Sequence, residues 1–146
     1  MYGLECWGDA CMKYVLPIVT LQKKIVRLIY GLSSCTHCAP YASLAGILFV
    51  PDVSSLLLYK LAYKVFYNYC IPFVISSLFN RIHHVHSTRA ASYNFFVPCS
   101  RLKAYHKSPV LRCIRLWNDA SVDLKLSLSL NVYLRNVVYS LFANYV

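Results

Sequence analysis

Apolar residues recur at helical spacing along most of the chain, and proline, glycine and serine punctuate the repeats. From Pro17 the sequence runs PIVTLQKKIVRLIYG, with a proline suited to a first helical turn and a glycine suited to a helix stop. Ile18, Leu21, Ile25, Leu28 and Ile29 share one face of that helix, and Thr20, Lys23, Lys24 and Arg27 share the opposite one. The first face predicts a core contact and the second a solvated basic surface. Pro40 to Val50 predicts a short apolar helix ended by Pro51, after which Asp52 or Ser54 caps a helix reaching about Cys70. On that helix Leu57, Leu61, Val65 and Tyr69 predict the core stripe, and Lys60, Lys64 and Asn68 the polar one. Pro72 opens a further short helix to Phe79, and Ser108-Pro109 starts one that runs through Leu116 and Trp117. Ser127 or Ser129 caps a final helix whose stripe is Leu130, Leu134, Val137, Val138 and Leu141. Tyr93 to Val97 reads as a short strand before the Pro98 turn. The pattern predicts one mainly α-helical domain over residues 1–146, an irregular helical bundle of five to seven helices with room for a short β-hairpin near residues 93–106.

Composition narrows the function. The chain is 58% hydrophobic and 14% charged, too apolar for intrinsic disorder. Fifteen Lys and Arg stand against five acids, for a net charge of +10, and this imbalance favours polyanionic partners such as nucleic acid or an acidic membrane surface. The acids Glu5, Asp9, Asp52, Asp119 and Asp123 are scattered, which argues against a self-contained metal-dependent enzyme. No phosphate-cradling glycine loop, nucleophile elbow or dinucleotide fingerprint is present in the sequence, and no cofactor is implied.

The basic residues concentrate in two places. No acid between Pro17 and Gly31 neutralises Lys23, Lys24 and Arg27. From Arg81 to Arg115, again with no acid, come Arg81, Arg89, Arg101, Lys103, Lys107, Arg112 and Arg115, interleaved with Tyr93, Phe95, Phe96 and Tyr105. Cations bind phosphates while rings stack on bases, so this interleaving suits a nucleic-acid strand. The plainer alternative is a basic loop whose rings pack inward. The candidate nucleic-acid contacts are thus Lys23, Lys24, Arg27, Arg81, Arg89, Arg101, Lys103 and Lys107. His83, His84 and His86 do not converge on one side of a regular element, so they make a poor metal site.

Seven cysteines without a secretory leader pattern read as reduced thiols of an intracellular protein, nuclear or cytoplasmic. Cys35-Thr-His-Cys38 together with Cys6 and Cys11 offers four soft ligands to tetrahedral Zn²⁺, although a second C-x2-C is missing and buried reduced thiols are the plainer reading. The uncharged run Leu28 to Pro51 is broken by Gly31, Ser33, Ser34, Thr36, His37 and Pro40, and Val53 to Phe79 is broken by Lys60, Lys64 and Pro72. Neither makes a good membrane span. The competing functional class is a small basic membrane-associated protein with Val53 to Phe79 in or on a bilayer.

An ordered series of landmarks carries a resemblance. Tyr2-Gly3 with Trp7-Gly8, Leu21-Gln22-Lys23-Lys24 with Arg27, Ala39-Pro40, Leu44 to Leu48, His86-Ser87-Thr88-Arg89, Val97-Pro98 with Arg101, Ser108, Leu116-Trp117-Asn118 and Tyr133 run along essentially the whole chain. The series resembles the C-terminal region of LINE-type, non-LTR retrotransposon reverse transcriptases. In that family the fingers and the palm, with its metal-holding aspartates, come before this region. The resemblance therefore implies the end of the thumb and a helical extension that grips template RNA and target DNA, in a truncated fragment lacking the palm and without RNA-directed DNA polymerase activity of its own. Asp119-Ala120-Ser121 departs from the family pattern after Trp-Asn, and Tyr133-Leu134-Arg135 is poorer in bases than the family's final helix. Polyanion binding is not assigned to the last helix for that reason.

Overall fold

The computed structural model describes residues 3–8, 12–69, 71–82, 93–99, 101, 105 and 108–145. Of the positions singled out above, Tyr2, Asp9, Cys11, Cys70, His83, His84, His86, Ser87, Thr88, Arg89, Lys103 and Lys107 lie outside the described residues. The described chain is mainly helical, as the sequence pattern implies. Its eight helices are α1 (Leu4–Trp7), α2 (Met12–Ile29), α3 (Ala39–Leu44), α4 (Val50–Phe66), α5 (Phe73–Ser76), α6 (Pro109–Asp119), α7 (Val122–Lys125) and α8 (Leu130–Ala143). Three of them are single turns, which accounts for a count above the expected five to seven.

Local chemistry explains most boundaries. α2 stops where Gly31 takes φ 61°, letting the Leu32 amide donate back to the Arg27 carbonyl at 2.9 Å. Asn68 does the same for α4 with φ 55°, and the Tyr69 amide reaches the Lys64 carbonyl at 2.9 Å. Ser108 and Ser129 cap α6 and α8, each hydroxyl oxygen accepting the amide three residues on at 3.3 Å. Other boundaries depart from expectation. α2 begins at Met12, so Pro17 stands inside it and removes a single hydrogen bond, the one the Lys13 carbonyl would have accepted. α3 ends at Leu44, and Pro51 lies in the first turn of α4, where a missing amide costs nothing, instead of closing a helix from Pro40 to Val50. Neither Asp52 nor Ser54 caps α4. Its first amides are satisfied from far away, Val50 by the Gln22 side-chain oxygen at 3.0 Å and Phe49 by the Tyr145 hydroxyl at 2.9 Å.

Among the described residues there is no hairpin over 93–106. Phe95 instead forms one antiparallel bridge with Arg81, flanked by bonds from Phe96 to Asn80 (2.7 Å) and from Ile82 to Asn94 (3.2 Å). The other edge of this segment is held by side chains of α6. Asn118 donates to the Phe95 carbonyl at 2.8 Å and accepts its amide at 2.9 Å, while the Trp117 indole donates to the Tyr93 carbonyl at 2.8 Å. A strand partner is displaced by two side chains.

α4 is the central element, packed against α6 and α8 and also touched by α1 and α2. Leu58, Ala62 and Phe66 of α4 meet Cys113, Ile114 and Trp117 of α6 and Tyr133 and Val137 of α8, with Phe79 and Phe95 closing the cluster. Trp117 lies 4.9 Å from the Phe66 ring and 6.0 Å from that of Tyr133. The buried line of α4 is therefore Ser54, Leu58, Ala62 and Phe66, one residue away from the expected Leu57, Leu61, Val65 and Tyr69. Of those, Val65 is buried, Leu57 and Leu61 are half-buried, and Tyr69 is exposed. Ser54 and Ala62 are buried because a small side chain allows close helix approach, a preference that hydropathy alone does not register. The apolar character of residues 53–66 is thus consumed by protein contacts. Among the described residues no helix is long and apolar enough to cross a membrane.

α2 overturns the expected orientation. Val15, Val19 and Val26 are buried, whereas Ile18, Leu21, Ile25, Leu28 and Ile29 all face solvent, Leu28 at 83% exposure. The apolar arc of this helix is wider than any neighbour covers. The compact valine sector docks, Val15 and Val19 with Leu4 and Val50 and Val26 with Ala42 and Phe49, and it brings Gln22 to the Val50 amide.

Buried polar groups generate two predictions. The Tyr133 hydroxyl is buried without a hydrogen-bond partner among the described residues, so Tyr133→Phe is expected to stabilise the fold by about 1 kcal/mol, a rise of roughly 2–4 °C in Tm by calorimetry. Burial raises the pKa of the Tyr63, Tyr133 and Tyr145 hydroxyls and pushes the Cys113 thiol up to about 12. The folded chain then keeps protons that the unfolded chain has released, so this stability is full below the unfolded values, about 8.5 to 10, and is lost progressively as pH rises from them towards the raised folded values. Buried Lys125, lowered by desolvation, works in the opposite direction but is a single group. Thermal melts should show Tm falling above about pH 9, and a Tm that holds or climbs there would refute the assignment.

Candidate polyanion-binding site

α2, the loop before α3, the start of α4 and the turn after α8 enclose an open cleft of about 300 Å³. Lys23 and Arg27 project into it from one edge of α2, a helical turn apart. His37, Asp52, Asn144 and Tyr145 complete its polar lining. Both cations are partly held. The Arg27 Nε donates to the Thr36 carbonyl at 3.2 Å, which orients the guanidinium while its terminal nitrogens have no partner among the described residues. The Lys23 ammonium stands 5.8 Å from the Phe49 ring centroid, a cation–π contact, and Phe49 stacks on Tyr145 with centroids 5.3 Å apart.

The single carboxylate of the cleft is already engaged. Tyr145 donates its hydroxyl to Asp52 and accepts the Phe49 amide, and burial first, then the Asp52 contact, raises its pKa. Asp52 also sits in the first turn of α4, where the helix dipole favours a negative charge. Lys23 and Arg27 are not ion-paired to it or to any other described acid. Two oriented cations therefore face open space beside one carboxylate whose charge is directed inward. This arrangement suits an oxyanion such as a phosphate group, bound through charge-assisted hydrogen bonds.

The other expected contacts among the described residues, Lys24, Arg81 and Arg101, separate from this pair. Lys24 lies on another side of α2, in an open groove with Lys13, Leu16, Pro17, Thr20 and Leu21. Arg81 donates to the Phe66 carbonyl and stacks its guanidinium 4.5 Å from the Phe66 ring, so it caps the C-terminal end of α4. Arg101 is exposed and apart from the cleft lining. Of the five expected contacts that the structure describes, it brings together Lys23 and Arg27. The rings of the basic stretch divide: Phe95 is buried and Tyr93 half-buried, while Phe96 and Tyr105 are exposed. Sequence spacing missed His37, Asn144 and Tyr145, whose arrival beside α2 depends on contacts remote in the chain.

Of the cysteine set, Cys11 lies outside the described residues, and Cys6, Cys35 and Cys38 do not come together. Cys6 is exposed on α1, Cys35 is exposed in the loop before α3, and the Cys38 thiol is packed among Val26, Ala42, Phe49 and Tyr145. Among the described residues no three His, Cys, Asp or Glu side chains come together, which also leaves Glu5, Asp52, Asp119 and Asp123 without a shared metal site. Cys113 is no nucleophile, since its buried thiol donates to the Leu58 carbonyl at 3.3 Å and its pKa is raised.

In comparisons with protein-family models, curated proteins and solved structures, nothing matches this chain.

The Tyr145 hydroxyl links the cleft wall to the start of α4, so Tyr145→Phe should cost about 1–3 kcal/mol in a denaturant titration by leaving the Phe49 amide unsatisfied. An unchanged midpoint would remove this hydroxyl from the architecture of the cleft.

Proposed function

We propose that the chain is a non-catalytic nucleic-acid-contacting module, descended from the C-terminal region of a LINE-type retrotransposon reverse transcriptase, that holds backbone phosphates in the Lys23–Arg27 cleft. The observation that carries this reading is the pair of oriented cations open to solvent and unneutralised by any described acid. The net charge of +10 adds a long-range attraction for a phosphate backbone. The reading of descent rests on the sequence resemblance, and several of the resembling residues hold this fold together. Gln22 caps α4, Trp117 centres the core, Asn118 clamps Phe95 and Tyr133 is buried against the same cluster. These are positions on which the fold depends. Nucleotidyl transfer is not part of the proposal, because the described acids do not gather.

Fluorescence anisotropy against a labelled RNA/DNA hybrid across a salt series tests it. Affinity should fall steeply with salt, and Lys23→Ala with Arg27→Ala should weaken binding about tenfold or more and reduce the log–log salt slope by roughly two. A folded protein that does not bind, or whose slope is untouched by the double substitution, would overturn the proposal.

A further inference from the structure

α2 carries three sectors around its circumference. The buried sector is Val15, Val19 and Val26, and the cleft sector is Lys23 and Arg27. The third sector is apolar and uncovered: Tyr14, Leu21, Ile25, Leu28 and Ile29 are each more than half exposed, and Ile18 adjoins them. At 1.5 Å per residue, the stripe from Tyr14 to Ile29 runs for about 22 Å. A continuous apolar strip of this kind on a small domain marks a contact surface. Lys13 and Lys24 stand along one margin of the stripe, walling with Leu16, Pro17, Thr20 and Leu21 an open groove made of α2 residues alone.

Charge decides what covers it. α2 bears Lys13, Lys23, Lys24 and Arg27 and no acid. A second copy laid on the stripe would bring the same basic margins together on two chains that each carry +10. An anionic bilayer surface reverses that sign: the stripe enters the acyl boundary while Lys13 and Lys24 reach the lipid phosphates. We propose that α2 docks on the surface of an anionic membrane through its Tyr14–Ile29 stripe, lying in the plane of the interface. The site is distinct from the phosphate cleft, and the residues implied are not the Val53 to Phe79 stretch, whose α4 portion is spent on the core.

Co-sedimentation with vesicles of phosphatidylcholine alone, or mixed with phosphatidylserine, tests the proposal on the full chain. The wild type should bind the phosphatidylserine vesicles at least about tenfold more tightly than the neutral ones. Ile25→Glu with Leu28→Glu should abolish binding while circular dichroism shows the helices intact, because both positions are solvent-exposed. Lys13→Ala with Lys24→Ala should reduce the preference for anionic vesicles severalfold. Lys23→Ala with Arg27→Ala should leave vesicle binding largely in place, which separates this proposal from the nucleic-acid one. Vesicle binding that survives the double glutamate variant would overturn it. So would a wild type that ignores both vesicles yet sediments as a dimer that the glutamate variant dissociates, since the stripe would then belong to a second copy.

Discussion

Both ends of the central helix α4 are closed by residues remote from it in sequence. Its first amides are satisfied by Gln22 and Tyr145, and its last carbonyls by Arg81 together with the left-handed turn at Asn68. Unsatisfied amides at a buried helix start are costly, so these partners fix where α2 and the turn after α8 must lie. The cleft follows from that constraint. Lys23 flanks Gln22, and Asp52 and Phe49 belong to the very turn being capped, so the cations of α2 are delivered beside α4 by the same contact that satisfies it.

The aromatic cluster solves the other half of the problem. Trp117 packs between Phe66 and Tyr133 and uses its indole N–H on the Tyr93 carbonyl, while Asn118 serves both backbone groups of Phe95. Lys125, only 2% exposed, reaches Asn94 and the Asn118 carbonyl and stands 6.0 Å from the Trp117 ring. A buried ammonium with two acceptors and a ring face is tolerable where a bare one would not be. An irregular segment is thereby held against three helices without a sheet.

Where structure follows from near neighbours, the sequence was readable. The serine caps of α6 and α8 and the glycine stop of α2 are local devices, and they sit where pattern places them. What pattern could not supply was the choice among faces. The apolar arc of α2 is compatible with burying either its leucines and isoleucines or its valines, and the valine face is the one that carries Gln22 to the Val50 amide and packs on Leu4, Val50 and Phe49. Ser54 and Ala62 are buried in α4 because they are small, and a hydropathy stripe passes over them in favour of Leu57 and Leu61. At the candidate site the sequence pointed to Lys23 and Arg27, but it grouped them with Lys24 and Arg81, which face elsewhere or cap α4. Charge is visible in sequence, whereas engagement of that charge is not.

The Tyr145 hydroxyl bridges to Asp52 across 93 residues and to the Phe49 amide across 96. Closing so long a loop carries an entropic cost that the one-turn contacts within α2 escape. Helices can form early from local interactions, but the wall of the cleft assembles only when distant parts of the chain have met. The order of events during folding is thus written into the site: its cations are set on α2 first, and the pocket that gives them direction is completed late.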